Sequence, residues 1–327
     1  MKILANLSIL IAIIITQLTT LNAQNIKLYK TITGKAGDEI TAANISPDNK
    51  YFVVGYKSGI TEVYDTELGT VLFSSDRHRG MIFSISFDPK GKYFITASDD
   101  KMAVLWRLDT GKILKSYQGG DQVWTAEISP DGTKVAIGGS DEKIKVLELV
   151  STTEHRILPS SYGRIYSLKF FPDGKRLVSG EMQSALEIWD FSKNILINTL
   201  KGHSHSITTI DVSRDGKFIA SGSKDNTIII WDAISGTNLR TLKGHLWYIL
   251  SVSFSPDNKH LISSSWDQTI KLWDINSGTM LQSIDAHEGP VVSSYFSKQG
   301  KYILTASAAE IKIWESGLEV VNITAEQ

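Results

Sequence analysis

The chain has no cysteine. Disulfides, thiolate metal sites and lipid attachment through a thiol are excluded, so 327 residues must be held by packing alone. Excess charge is also missing: 34 Lys and Arg against 35 Asp and Glu leave a formal net charge of -1. Such a balance gives no basic footprint, and nucleic acid is not expected as a partner. No glycine loop for phosphate, no HExxH and no DxDxDG calcium loop occurs. His203 and His205 lie close together, but a metal needs three or four converging ligands, so neither a metal nor a cofactor is expected. Long apolar runs are absent after the first residues. The opening MKILANLSILIAIIITQLTTLNAQ has one Lys, an apolar stretch at about 9–15 and small residues around Ala23. It reads as a secretory signal over 1–23, which would make 24–327 an exported protein, periplasmic or secreted. An uncleaved anchor is the alternative, although a span needs about 20 apolar residues.

What the chain does have is a period. Trp106, Trp189, Trp231, Trp273 and Trp314 recur, with Tyr64 and Leu147 filling the gaps, at spacings of 42, 41, 42, 42, 42 and 41. Turn signals starting at Ser46, Asp88, Ser129, Phe171, Ser213, Ser255 and Ser297 keep the same step, and five of the seven prolines sit in them. Seven units result, at about 34–74, 75–117, 118–158, 159–200, 201–242, 243–284 and 285–327. Within the fifth, short runs rich in Ile, Thr and Phe read as four strands, with Asp215 and Gly216 making the first hairpin. A four-stranded sheet cannot bury both faces by itself, but seven around an axis cover one another.

The unit resembles the WD-repeat β-propellers, best from Gly202 and His203 through Asp225 to Trp231 and Asp232, and again from Gly244 to Asp274. The resemblance covers about 27–324. It implies an all-β fold: a seven-bladed propeller of four-stranded antiparallel blades, circularly closed. Closure has two candidates, an N-terminal strand at 26–32 and a C-terminal one at 318–324, and the N-terminal strand is favoured.

Three units carry a set with the composition of a hydrolase triad: His78, Thr96, Asp100 and Trp106; His203, Ser221, Asp225 and Trp231; His245, Ser263, Asp267 and Trp273. Recurrence argues against catalysis, since an enzyme needs one such site and a triad is recognised by geometry. The resemblance implies buried structural tetrads instead. The last unit keeps His287, Thr305 and Trp314 but has Ala308 where Asp is expected, and units one, three and four are less complete.

The resemblance also implies that partners meet the face formed by the loops before the first strand and after the second. Three positions per blade map there. Blades two, three, four and six place Met81, Phe83, Trp124, Arg164, Tyr166, Met182, Tyr248 and Trp266 at them, residue types enriched at interface hot spots. Blades one, five and seven carry mostly small or charged side chains such as Glu39, Lys57 and Lys224. The expectation is a non-catalytic scaffold, a monomeric propeller within a larger complex, binding a protein or peptide on an aromatic-rich face. A propeller enzyme or a carbohydrate-binding lectin is one alternative, and a membrane-anchored assembly platform is another.

Overall fold

The computed structural model describes residues 25–149 and 154–318. The segment read as a signal, 1–23, lies outside them, as does all but Leu318 of the proposed C-terminal strand. The described residues form seven antiparallel sheets of four strands and no helix. Blade one runs outward from the axis through Ile40–Ile45, Tyr51–Tyr56, Thr61–Asp65 and Val71–Ser75. The inner strands of the next five blades are Ile82–Phe87, Val123–Ile128, Ile165–Phe170, Ile207–Val212 and Ile249–Phe254. Blade seven is built from Ser293–Phe296, Tyr302–Ala306 and Glu310–Glu315, and its outer strand is the N-terminal Lys27–Thr33. Ile32 pairs with Ile311, so the two ends of the described chain share one sheet.

Burial explains the sequence pattern of each blade. Ile228, Ile229, Ile230 and Trp231 are consecutive and all buried, because side chains pointing to either face meet a neighbouring blade. Outer strands such as Asn238–Lys243 are mostly exposed, which matches their mixed polarity. The core is divided into seven slices, one per blade interface. Ile32, Ile311 and Ile313 of blade seven pack with Ile40, Phe52 and Tyr56 of blade one, and that slice completes the circle.

Two local devices position the candidate site. The turn after each inner strand is pinned by its own side chains: Ser213 Oγ donates to Asp215 at 2.7 Å and accepts from Phe218 N at 2.9 Å, while Gly216 takes φ +68. A side chain other than Asn is strained there, and Asn49 and Asn258 replace the glycine in two blades. At the other end of the inner strand, a β-bulge falls on the second residue in blades one to six. A bulge re-aims the extra residue. Here it points Phe83, Trp124, Tyr166, Thr208 and Leu250 into the mouth of the axial channel.

Candidate functional site

The tetrad residues come together in three blades. In blade two, Trp106 Nε1 donates to Thr96 Oγ1 at 2.8 Å, Thr96 Oγ1 lies 2.7 Å from His78 Nε2, and His78 Nδ1 lies 2.9 Å from Asp100. An indole N–H can only donate and a carboxylate can only accept, so a neutral imidazole fixes the direction of the chain. The hydroxyl donates to Nε2 and the Nδ1–H donates to Asp100. Blades five and six repeat this, with His203 to Asp225 and His245 to Asp267 both at 2.9 Å. Each Asp also caps the entering loop, as when Asp225 accepts from Ser204 N at 2.9 Å. Burial opposes ionisation of Asp225, but the bonds from His203 and Thr227 outweigh it and hold the carboxyl well below the usual range. The Ser and Thr hydroxyls are buried and already engaged, which leaves no room for an acyl substrate.

The remaining blades differ from the sequence reading in instructive ways. Blade seven has a carboxylate after all: Glu310, at the start of the third strand, accepts from His287 Nδ1 at 2.9 Å. Burial lowers His287 to about 4, and Glu310 only partly opposes this, so the ring is neutral at pH 7. Glu310→Ala leaves that N–H unpaired inside the blade and is expected to cost about 1 to 3 kcal/mol. Thermal melting checks it, with Glu310→Gln, which still offers an acceptor, losing less. In blade one, Tyr56 and Tyr64 both donate to Glu62, at 2.9 and 2.7 Å, in place of the tetrad. Blade three is apolar there, with Ile137 and Leu147.

The predicted contact residues fall on one face but differ in setting. Phe83, Trp124 and Tyr166, from three successive inner strands, are half-buried and touch. Trp124 stacks on Tyr166 with centroids 4.8 Å apart at 17°, and Phe83 meets Trp124 edge-on at 6.4 Å. These three are therefore the wall of the channel mouth. Met81 is half-buried beside them, and Arg164 is exposed with its guanidinium 5.9 Å from the Trp124 centroid. Met182, Tyr248 and Trp266 are open to solvent, at 45%, 39% and 53%.

Sequence reasoning missed two neighbours of the last pair. Leu246 is 78% and Trp247 56% exposed, on the loop entering blade six. That loop is held at several points: Leu246 N donates to Asp267 at 2.8 Å, Ser265 Oγ to Trp247 O at 3.0 Å, and Trp266 N to Tyr248 O at 3.0 Å. The signal was present, because blade five has Ser204 and His205 at the same places.

Below the mouth the channel encloses a cavity of about 100 Å³. Lys169 forms an ion pair with Glu127 at 2.8 Å on its wall. Burial would lower Lys169, but Glu127 and Asp211 outweigh it and keep the ammonium above the usual lysine range. At the far end Lys298 Nζ reaches across to Pro89 O at 3.2 Å. Among the described residues no group of three or more His, Asp or Glu is placed to hold a metal ion, and no helix is long and apolar enough to cross a membrane.

Comparison with known proteins agrees with this geometry. The family described as Echinoderm microtubule-associated protein second beta-propeller matches residues 82–247, and the WD domain, G-beta repeat matches 236–274 and 278–315. Among similar proteins are the eukaryotic translation initiation factor 3 subunit I of Candida glabrata, 32% identical over 104 residues, and that of Candida albicans, 36% identical over 106. The Saccharomyces cerevisiae protein of the same name is 34% identical over 104 residues. These alignments cover 32%, 30% and 32% of this chain, and the chain spans 30% of the length of each relative. This finding corrects one expectation. Relatives named as subunits of a eukaryotic translation initiation factor do not fit an exported chain, so the reading of an exported, secreted or periplasmic protein is overturned. It rested on the composition of 1–23 alone, and an apolar stretch followed by small residues is a pattern that does not by itself establish cleavage or export. Seven four-stranded blades, the bonded His–Ser/Thr–Asp–Trp sets and the matches to both repeat descriptions lead to one conclusion: the chain belongs to the WD-repeat β-propeller family.

Proposed function

We propose that this chain is a non-catalytic scaffold that holds a protein or peptide segment on the channel-mouth face, as one propeller within a larger assembly. The observation that carries the reading is the rigid apolar cluster of Leu246, Trp247, Tyr248 and Trp266. Large apolar side chains on a fixed backbone, open to solvent, mark contact sites on soluble proteins. Their loop is already ordered by Asp267 and Ser265, so little conformational entropy is lost when a partner docks. The half-buried stack of Phe83, Trp124 and Tyr166 supports the same face from inside, and Met81, Met182 and Arg164 extend it. Relatives named as a subunit of an initiation factor fit a protein that works through partners.

The test is Trp247→Ala with Trp266→Ala, beside the wild type, in capture from native extract followed by affinity measurement on the recovered partner. Hot-spot tryptophans contribute about 2 kcal/mol or more each, so affinity is expected to fall ~30-fold for one ring and up to ~1,000-fold for both, with unchanged melting because both rings are exposed. Equal recovery and equal affinity in the folded double variant would remove blade six from the contact surface.

A further inference from the structure

The charges on this face are not balanced locally. Lys57 is paired with Glu39 at 2.9 Å and Lys101 with Asp121 at 3.0 Å. Asp99 is bonded to the Gln122 amide, and Asp225 to His203. Arg164 and Lys224 stand apart, with no ion pair to either found among the described residues. Each is instead held over an aromatic ring, Arg164 at 5.9 Å from the centroid of Trp124 and Lys224 Nζ at 5.1 Å from that of Tyr166. Those two rings are the stacked pair. Blades three, four and five thus present one aromatic stack carrying two cations. A ring face within about 6 Å orients a cation without neutralising it, so the positive charge stays available to a second group. The ring positions the guanidinium fork of Arg164, and a fork suits a carboxylate.

We propose that the segment docked on this face is acidic, a stretch of a protein partner with at least two carboxylate side chains that pair with Arg164 and Lys224. This rests on the docking reading above and names the chemistry of its partner. The aromatic stack supplies a dry floor against which the ion pairs are screened less than on open surface. Attraction of a negative segment to this side of the mouth also sets its direction across the ring, because the opposite side, with Asp38 and Glu288, would repel it.

Fluorescence anisotropy with short labelled peptides tests this. One alternates Glu and Tyr, one Gln and Tyr, and one Lys and Tyr; a short oligothymidylate is the fourth probe. The wild type is expected to bind the Glu–Tyr peptide at least about tenfold tighter than the Gln–Tyr peptide, with affinity falling as salt rises, and to leave the Lys–Tyr peptide free. Arg164→Gln with Lys224→Gln should erase the tenfold preference, whereas Arg164→Lys should keep most of it. Lys90→Gln with Lys175→Gln removes the same charge on the opposite face and should change nothing. Melting of the Arg164 and Lys224 variants is expected to match wild type, since neither side chain is in the core. The proposal is overturned by no binding of the Glu–Tyr peptide, by equal or tighter binding of the Gln–Tyr, Lys–Tyr or oligothymidylate probes, or by an unchanged preference in the double charge variant. The two readings fail separately. If Trp247→Ala with Trp266→Ala loses every peptide while the charge variant is silent, the docking face stands and the acidic class falls. The reverse pattern keeps the acidic class and removes blade six.

Discussion

Replacing Trp231 with alanine is expected to lower the unfolding free energy by about 3 to 5 kcal/mol, the range for emptying a buried tryptophan site. The side chain is 1% exposed and packs in the slice between blades four and five, against Phe171, Val178 and Ile188. Its N–H is the first donor of the chain that runs through Ser221 and His203 to Asp225, at 2.8, 2.7 and 2.9 Å. Alanine therefore removes packing and also strips Ser221 of one partner. Trp231→Phe separates the two effects, because it keeps most of the ring and deletes only the N–H. Asp225→Ala attacks the other end, unpairing the His203 Nδ1–H and the Ser204 N, and should cost about 1 to 3 kcal/mol. Denaturant midpoints with constant slope give the values, and capture per folded molecule should stay at the wild-type level, since these groups lie inside the blade. A loss below about 1 kcal/mol for Trp231→Ala would mean that the set does not tie the loop to the sheet.

The fold was legible because a propeller repeats its turn chemistry as well as its core. Ser213, Asp215 and Gly216 each have a physical task in the hairpin, and the same tasks recur every 42 residues or so, so the period survives where individual residues drift. The partner atoms of the tetrads were legible for the same reason. Substitutions that solve the same problem from another position were not. Glu310 reaches His287 from the start of a strand, at the place that holds Thr227 or Thr269 in blades five and six, so alignment by position finds only Ala308. The Tyr56, Glu62 and Tyr64 cluster likewise has no counterpart in the pattern. On the contact face, residue type alone could not distinguish wall from surface. Phe83, Trp124 and Tyr166 are drawn onto one another by the bulges that aim them at the axis, whereas Trp266 has no such neighbour and stays in solvent. Leu246 and Trp247 lay one and two residues beyond a landmark histidine, in a loop where apolar side chains should have drawn notice.

A second large effect is expected from blade four, which has Ser161 where blades two, five, six and seven have histidine and holds two fully buried glutamates instead. Glu187 lies opposite Ser179 across the two middle strands, and Glu181 is two residues along on the same face. Ser179 Oγ donates to Glu181 Oε1 at 2.9 Å, and Ser161 N to Glu187 Oε2 at 3.4 Å. The other two oxygens, Glu181 Oε2 and Glu187 Oε1, have no hydrogen bond among the described residues. Burial, and then the neighbouring Glu187, push Glu181 up to about 8 from an ordinary 4.5, so near neutrality one carboxyl keeps its proton and can donate it to the other. The folded chain then binds a proton that the unfolded chain has released. Stability is fully present below about 4.5 and is lost as pH rises toward 8, by up to about 1.4 kcal/mol per unit. His287 acts in the opposite sense: with its pKa lowered to about 4 from 6.5, stability is lost as pH falls below 6.5. Between pH 6.5 and 8 the glutamate pair acts without that opposition, so the wild type should lose about 2 kcal/mol across the interval. Glu181→Gln cannot be deprotonated, keeps an acceptor for Ser179 and offers an amide N–H to Glu187. Its stability should be nearly flat from pH 6.5 to 8 and should exceed that of the wild type at pH 8. Parallel curves for the two proteins would show that blade four holds both glutamates as carboxylates, and that the shared proton is not what keeps them inside.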